Sequence, residues 1–178
     1  NSENVGQQTT IYIRAELDIV DSTINTNVGN NSQSNKNAFG ISGDSNSDTS
    51  LQKINCSNVN VNISTKEGVT YKQIIGINSR KGSNMTLANT NVKANSDVAK
   101  VYGIINEGNA NIMTTQVFAD AVGCTADLNI NVNYSLGISN LKTGTLNFDS
   151  GSVFGTHSGV QNLGKLYVYG GEFTSCGH

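Results

Sequence analysis

The sequence predicts an all-β solenoid in which short strands are wound into about six stacked coils. Three observations lead there. A short apolar signature recurs six times at irregular spacing: LDIVDSTINT from Leu17, INCSNVNVNI from Ile54, MTLANTNVKA from Met85, ANIMTTQVFA from Ala110, LNFDSGSVFG from Leu146 and LYVYGGEFTS from Leu166. A second signature, a Gly followed by Ile or Val, recurs at Phe39-Gly40-Ile41, Ile75-Gly76-Ile77, Tyr102-Gly103-Ile104, Leu136-Gly137-Ile138 and Ser158-Gly159-Val160. The 178 residues include no proline, as suits a backbone whose N–H groups mostly enter ladders. A repeat unit too small to bury its own apolar face must stack on its neighbours.

Residues 1–16 hold Ile11 and Ile13 in strand alternation and are expected to form a partial coil or a cap. In each of the six copies two apolar residues then alternate with polar ones, and a third follows across a bend. The bends fall at Asp21, Asn58, Asn89, Thr114, Ser150 and Gly170. Asn, Asp and Gly tolerate left-handed backbone, which gives a bend there a mechanism. The predicted interior column is Leu17, Ile19, Ile24; Ile54, Cys56, Val61; Met85, Leu87, Val92; Ala110, Ile112, Val117; Leu146, Phe148, Val153; and Leu166, Val168, Phe173, with the isoleucines of the Gly-Ile steps on another wall. Asn106, Asn140 and Asn162 mark a second corner, where stacked amides can hydrogen-bond from coil to coil. The shortest interval between copies, Leu146 to Leu166, suffices for one turn, so the longer ones must loop outwards. The expected loops run from Gly29 to Ala38, Gly43 to Lys53, Lys66 to Gln73 and Phe118 to Asp127.

Composition supports one domain over residues 1–178. The hydrophobic fraction of 36% lies below the roughly 45–50% of ordinary globular chains, with Asn, Ser, Thr and Gly making up the difference. Disordered chains are equally polar, but they are rich in proline and net charge, whereas this one has no proline and a formal charge of −2. That weak charge, with Arg80-Lys81 the one basic pair noted, argues against nucleic acid as the main partner. No apolar run approaches the length of a membrane span, and no signal peptide is visible. A start at Asn1 without Met, and a stop at His178 just after a repeat, suggest a piece of a longer chain. Of three cysteines, Cys56 reads as a buried small hydrophobe, while Cys124 and Cys176 are open to being free or bridged to residues outside this chain.

Units such as YGIINEGNANIMTTQVF and LGISNLKTGTLNFDSGSVF, between Tyr102 and Ser175, resemble the right-handed parallel β-helix, the pectin-lyase-like fold of polysaccharide lyases, phage tailspikes and bacterial adhesins. The resemblance implies a right-handed β-helix with irregular loop insertions. Leucine-rich repeats are the rival architecture, but their fixed leucines and helical segments are missing here.

No constellation of catalytic residues emerges. Paired carboxylates must lie about 5–9.5 Å apart for glycosidase chemistry, which in a parallel solenoid means neighbouring positions on adjacent coils. Asp18, Asp21, Asp149 and Glu172 occupy different columns, and Asp18 with Asp21 reads as a solvated strand edge. Asp44 and Asp48 share a polar loop that suits a calcium ion or, more simply, a flexible segment. His157 in THSG lacks triad partners and metal spacing and reads as a turn residue, while Cys176 and His178 fall short of a zinc site. Neither a catalytic residue, a metal site nor a cofactor is assigned. Sequons stand at Asn30, Asn55, Asn62, Asn84 and Asn133, as chance alone produces in so Asn-rich a chain.

The more suggestive pattern is aromatic. Phe118 and Phe154 follow the third apolar position and should point outwards on consecutive coils, and Tyr167 and Tyr169 should face outwards beside Leu166 and Val168. Such rings suit the apolar faces of sugars, or cover by the loop after Phe118, or the interface of a homotrimer. The expected function is therefore a non-enzymatic structural or adhesin-like module, extracellular, on a cell surface or on a virion. Its expected partners are a surface glycan or polysaccharide, or copies of itself in a trimer or filament. The alternative is part of a β-helical polysaccharide lyase or glycoside hydrolase whose acids lie outside this segment. A flat ice-binding Thr array is not present in the outward column Asp18, Asn55, Thr86, Asn111, Asn147, Tyr167.

Overall fold

The structure, a computed structural model, describes residues 8–29, 33–66, 71–96, 100–121 and 134–176, with the backbone alone at 33–35. These residues form β1 (Gln8–Ile13), β2 (Glu16–Val28), β3 (Gln33–Gly43), a 3-10 turn at Thr49–Leu51, β4 (Lys53–Thr65), β5 (Tyr71–Ser79), β6 (Asn84–Ala88), β7 (Asn91–Asn95), β8 (Lys100–Asn106) and β9 (Asn109–Met113). The later strands are β10 (Thr115–Asp120), β11 (Ser135–Asn140), β12 (Thr145–Phe148), β13 (Gly151–Gly155), β14 (Ser158–Asn162), β15 (Lys165–Val168) and β16 (Glu172–Thr174).

All the strand pairs are parallel, so the fold is all-β with parallel strands in curled sheets. Sheet A has the order β1-β3-β5-β8-β11-β14. In sheet B the long strands β2 and β4 pair along their length, and beyond β4 the sheet divides into two ladders, β6-β9-β12-β15 and β7-β10-β13-β16. The dividing line is a row of bends. Asp21, Asn58, Asn89 and Thr114 hold left-handed backbone with φ of 48°, 58°, 47° and 46°. Their side chains also link: the Asn58 amide donates to Asp21 at 2.6 Å and the Asn89 amide to Asn58 at 3.1 Å. In the last two copies the left-handed residue is Gly151 (φ 122°) and Gly171 (φ 100°), one position later than the expected Ser150 and Gly170. Glycine there avoids a collision, since a Cβ on Gly151 would stand against the Thr115 backbone.

The apolar signature sets the register. Leu17, Ile54, Met85, Ala110, Leu146 and Leu166 align across one ladder, as do Ile19, Cys56, Leu87, Ile112, Phe148 and Val168. Ile24, Val61, Val92, Val117, Val153 and Phe173 align across the other. The inner four copies of each column are buried, together with Ile41, Ile77, Ile104 and Ile138 from sheet A. Most outer copies are less covered: Leu17, Ile19 and Leu166 are half-buried and Val168 and Phe173 are 49% and 37% exposed, while Ile24 stays buried. Among the described residues each less covered copy has a neighbouring strand on one side only.

The Gly-Ile step has a steric cause. A Cβ on Gly40 would lie 2.7 Å from the Gly76 carbonyl oxygen and 3.0 Å from Val61 Cγ1. Gly76, Gly103 and Gly137 repeat the arrangement against Val92, Val117 and Val153. The absent side chain is what lets sheet A settle on the valine column. A second, smaller core joins Val28, Ile63, Ala94 and Ala119 of sheet B to Ala38, Ile74 and Val101 of sheet A.

Loop boundaries need correction. β3 begins at Gln33, inside the expected Gly29–Ala38 loop, although its pairing with β5 is irregular between Gln33 and Asn37. β5 begins at Tyr71 and β10 continues to Asp120, shortening two other loops; the rest of the Phe118–Asp127 loop from 122 onwards lies outside the described residues. Strand pairing satisfies the backbone whatever the side chains, so polar stretches such as KNA extend strands without an apolar signal. The Gly43–Lys53 segment is a loop, but an anchored one. Tyr12 Oη donates to Asp44 at 2.6 Å, Arg14 Nε stands 3.1 Å from the same carboxylate, and the Gln52 amide donates to the Asp44 carbonyl.

Candidate groove and aromatic stack

In-register parallel strands place like residues directly above one another about 4.8 Å apart. Phe118 on β10 and Phe154 on β13 are such a pair, and their rings stack with centroids 4.8 Å apart and planes 15° from parallel. Lys93, next in the same column, holds its Nζ 5.8 Å from the Phe118 centroid, within cation–π range. Phe118 is 37% exposed and Phe154 half-buried, so the stack offers an edge to solvent. Tyr167 and Tyr169 also face outwards, at 48% and 71% exposure, but stand on the other side of the row of bends. Tyr167 aligns with Asn147 and Asn111, not with another ring. The four aromatics are thus one stacked pair and two separate tyrosines.

The outer surfaces of sheet B are amide ladders. Asn55 donates to Asp18 at 2.7 Å, Asn62 to Asn25 at 2.9 Å, Asn91 to Asn60 at 2.9 Å and Asn147 to Asn111 at 2.8 Å. Their alignment repeats the strand register, and the same outer columns continue to Phe118 and Phe154 and to Tyr167. The second corner is a buried version. Asn106 donates to Asn140 at 2.8 Å, and Asn140 to Asn162 at 2.7 Å and to the Lys165 carbonyl at 2.9 Å.

A site not anticipated from the sequence lies on the outer face of sheet A. There a groove of about 390 Å³ crosses β3, β5, β8, β11 and β14. Phe39, Ile75, Tyr102 and Ile105 supply apolar floor, and Asn37, Gln73, Asn78, Ser139 and Gln161 supply hydrogen-bonding groups. Arg80 and Glu107 bring one charge of each sign. Strict alternation is broken at the Gly-Ile step, where two successive residues face the core and the groove residues lie on either side of them, as in Ile75 and Asn78 or Tyr102 and Ile105. Beside it, Tyr134 meets Tyr102 edge-on at 6.2 Å and lies 4.7 Å from the His157 ring, while Gln161 donates to Tyr134 Oη at 3.1 Å. Burial pushes the Tyr102 phenol up, with the neighbouring Tyr134 adding to the rise, and burial likewise raises Tyr134. Both remain neutral hydrogen-bonding rings at ordinary pH. The large residue before Gly in the second signature, Phe39, Ile75 and Tyr102, recurs in the sequence, but strict alternation from the core isoleucine two residues on would have turned it inwards.

The remaining candidates resolve into structural roles. The carboxylates of Asp18 and Asp21 accept from Asn55 and Asn58 in the ladders, and Asp149 stands beside Ser150 at 3.4 Å. Asp44 and Asp48 face different tasks, Asp44 anchoring its loop and Asp48 capping the 3-10 turn through Ser50. Hydrogen bonds from Tyr12 and the Asn46 amide, with Arg14 alongside, hold the Asp44 carboxyl below its ordinary range. Among the described residues no cluster of three His, Cys, Asp or Glu could hold a metal ion. Cys56 is buried and free, its thiol pushed up to about 11 by burial, whereas Cys176 is disulfide-bonded; Cys124 lies outside the described residues. His157 is exposed beside Tyr134. Of the sequons, Asn84 is exposed and Asn55 and Asn62 are half-buried, while Asn30 and Asn133 lie outside the described residues. No helix among the described residues is long and apolar enough to cross a membrane. In comparisons with known proteins, the chain matches no family model, no curated protein and no solved structure.

Proposed function

We propose that this chain is a right-handed β-solenoid of six coils that acts outside the cell, on a cell or virion surface, as a non-catalytic module contacting a saccharide chain. Parallel strands joined by crossovers are right-handed in nearly every known case, which supports the handedness. Six aligned copies in each of the sheet B ladders, with one sheet A strand beside each coil, support the coil count.

The observation behind the saccharide reading is the groove on sheet A. It pairs apolar floor with a row of amides and hydroxyls, the combination that accepts a sugar's C–H face and its equatorial hydroxyls together. It runs across successive strands, so a chain of sugars would meet a varied set of groups strand by strand, Asn78, Ile105, Ser139 and Gln161 following one another in one column. Among its lining residues Glu107 is the one carboxylate, which favours holding a glycan over hydrolysing it with an acid pair.

The test is titration of the protein with a panel of oligosaccharides, together with the Tyr102→Ala and Gln161→Ala variants. Binding that both variants weaken at least tenfold, with the saccharide recovered unchanged, is the expected result. Cleaved saccharide would overturn the non-catalytic reading in favour of the lyase or hydrolase class. Binding lost in Phe118→Ala and Phe154→Ala but kept in the groove variants would move the site to the aromatic stack.

A further inference from the structure

We propose that the groove on sheet A selects a zwitterionic saccharide, one that carries a carboxylate and an ammonium on neighbouring sugars. This rests on the saccharide reading above and names the class of chain the groove takes. Two of its lining residues carry opposite charge, Arg80 and Glu107. They follow the aligned Ser79 and Asn106, so they stand side by side in one column just past β5 and β8, and both are half-buried.

Neither charge is neutralised within the described residues. Arg80 and Glu107 are beyond ion-pair distance of one another and of every other described charge. Asp44 borders Arg80 on the other side of the column, but its carboxylate already accepts from Tyr12 Oη at 2.6 Å and holds Arg14 Nε at 3.1 Å. Arg80 instead donates from Nε to the Gly43 carbonyl at 3.1 Å, which ties its side chain towards β3, on the side of β5 remote from β8. Its other N–H groups are left for a ligand. Thr143 donates to the Glu107 backbone carbonyl, and the Glu107 carboxylate has no hydrogen-bond partner among the described residues.

Such a pair discriminates by sign. A ligand with a carboxylate at Arg80 and an ammonium at Glu107 makes two charge-assisted contacts, each stronger than its neutral counterpart. A ligand with a carboxylate alone gains the first contact but sets its charge beside Glu107, and one with an ammonium alone sets its charge beside Arg80. Like charges brought together in this way are what reject a wrong partner. The two backbones stand one strand spacing apart, about 4.8 Å, and the Gly43 contact draws the guanidinium further off, so substituents on neighbouring sugars reach both groups.

The experiment is calorimetric titration of the purified chain, at low salt, with one oligosaccharide in four forms. These are alternating glucuronate and free-amine glucosamine, the same chain N-acetylated, the same chain with its carboxyls reduced, and the chain carrying both changes. The expected result is that the zwitterionic form binds roughly tenfold more tightly than each of the others. Arg80→Gln should remove its advantage over the carboxyl-reduced form, and Glu107→Gln its advantage over the N-acetylated form. Circular dichroism checks that each variant keeps its strand content. Equal binding of the four forms, tighter binding of a neutral or singly charged form, or a preference that neither variant changes would each overturn the proposal and leave the saccharide reading standing. Binding of none of the four overturns it too, and the wider oligosaccharide panel then decides whether the saccharide reading falls with it.

Discussion

At the scale of single residues, position in the stack decides what a side chain is worth. Asn140 is fully buried and shares hydrogen bonds with Asn106, Asn162 and the Lys165 carbonyl. Replacing Asn140 with Ala leaves those groups short of partners and is expected to cost about 1–3 kcal/mol in urea unfolding. Asn91 makes the same kind of amide contact on the exposed face, and Asn91→Ala should change stability by less than about 0.5 kcal/mol. Equal losses at the two positions would contradict the distinction. Gly103 is limited by space: its Cβ would collide with Val117 and the Gly137 carbonyl. Gly103→Ala should therefore cost about 1–3 kcal/mol by overpacking. Adding Val117→Ala should give less destabilisation than the two single changes summed, because the cut valine relieves the clash. Asp44 adds a pH dependence. Its carboxyl is held below the ordinary 3.8 by Tyr12, Asn46 and Arg14, so its contribution is present above that value and disappears as pH falls through the folded-state pKa. Wild-type protein should exceed Asp44→Asn in stability near neutrality, and the gap should close in acid below about pH 4. A gap that persists unchanged in strong acid would contradict this account.

Among the strands, the buried elements were legible in the sequence and the polar ones were not. Three apolar positions per copy named the columns of sheet B because each must point into the core, and a slip of one residue would turn all of them out. Val168 and Phe173 belong to those columns by register yet stay exposed, since pattern reports direction and the neighbouring strand supplies the burial. The start of β3 was hidden because its first residues pair through the backbone and need no apolar side chain. The bends at Asp21, Asn58 and Asn89 were readable from residue type, whereas the shift to Gly151 and Gly171 reflects the space beside Thr115 and Phe148, which no single copy reveals. Phe118 and Phe154 stack because their register is shared; Tyr167 aligns with no ring because the preceding strand carries Asn147 in the same column. The groove escaped notice because its lining comes from five strands far apart in the sequence, with one to three residues from each.

For the whole molecule, one arrangement produces the core, the amide ladders and the groove: identical strands repeated in parallel at a fixed spacing. The core arises where the repeated residue is apolar and faces inwards, the ladders where it is Asn facing water, and the groove where Phe39, Ile75 and Tyr102 align on the outside of sheet A. The claim beneath all of this is that position along a column counts coils. Pulsed EPR between spin labels in the exposed column that begins at Asp18 measures it most directly. Labels at Asp18 and Asn147 are four strands apart and labels at Asp18 and Tyr167 five, so backbone separations of about 19 and 24 Å are expected, a step of one strand spacing for 20 residues of sequence. Separations that fail to rise by a single strand spacing between the two pairs would contradict the stacked parallel register.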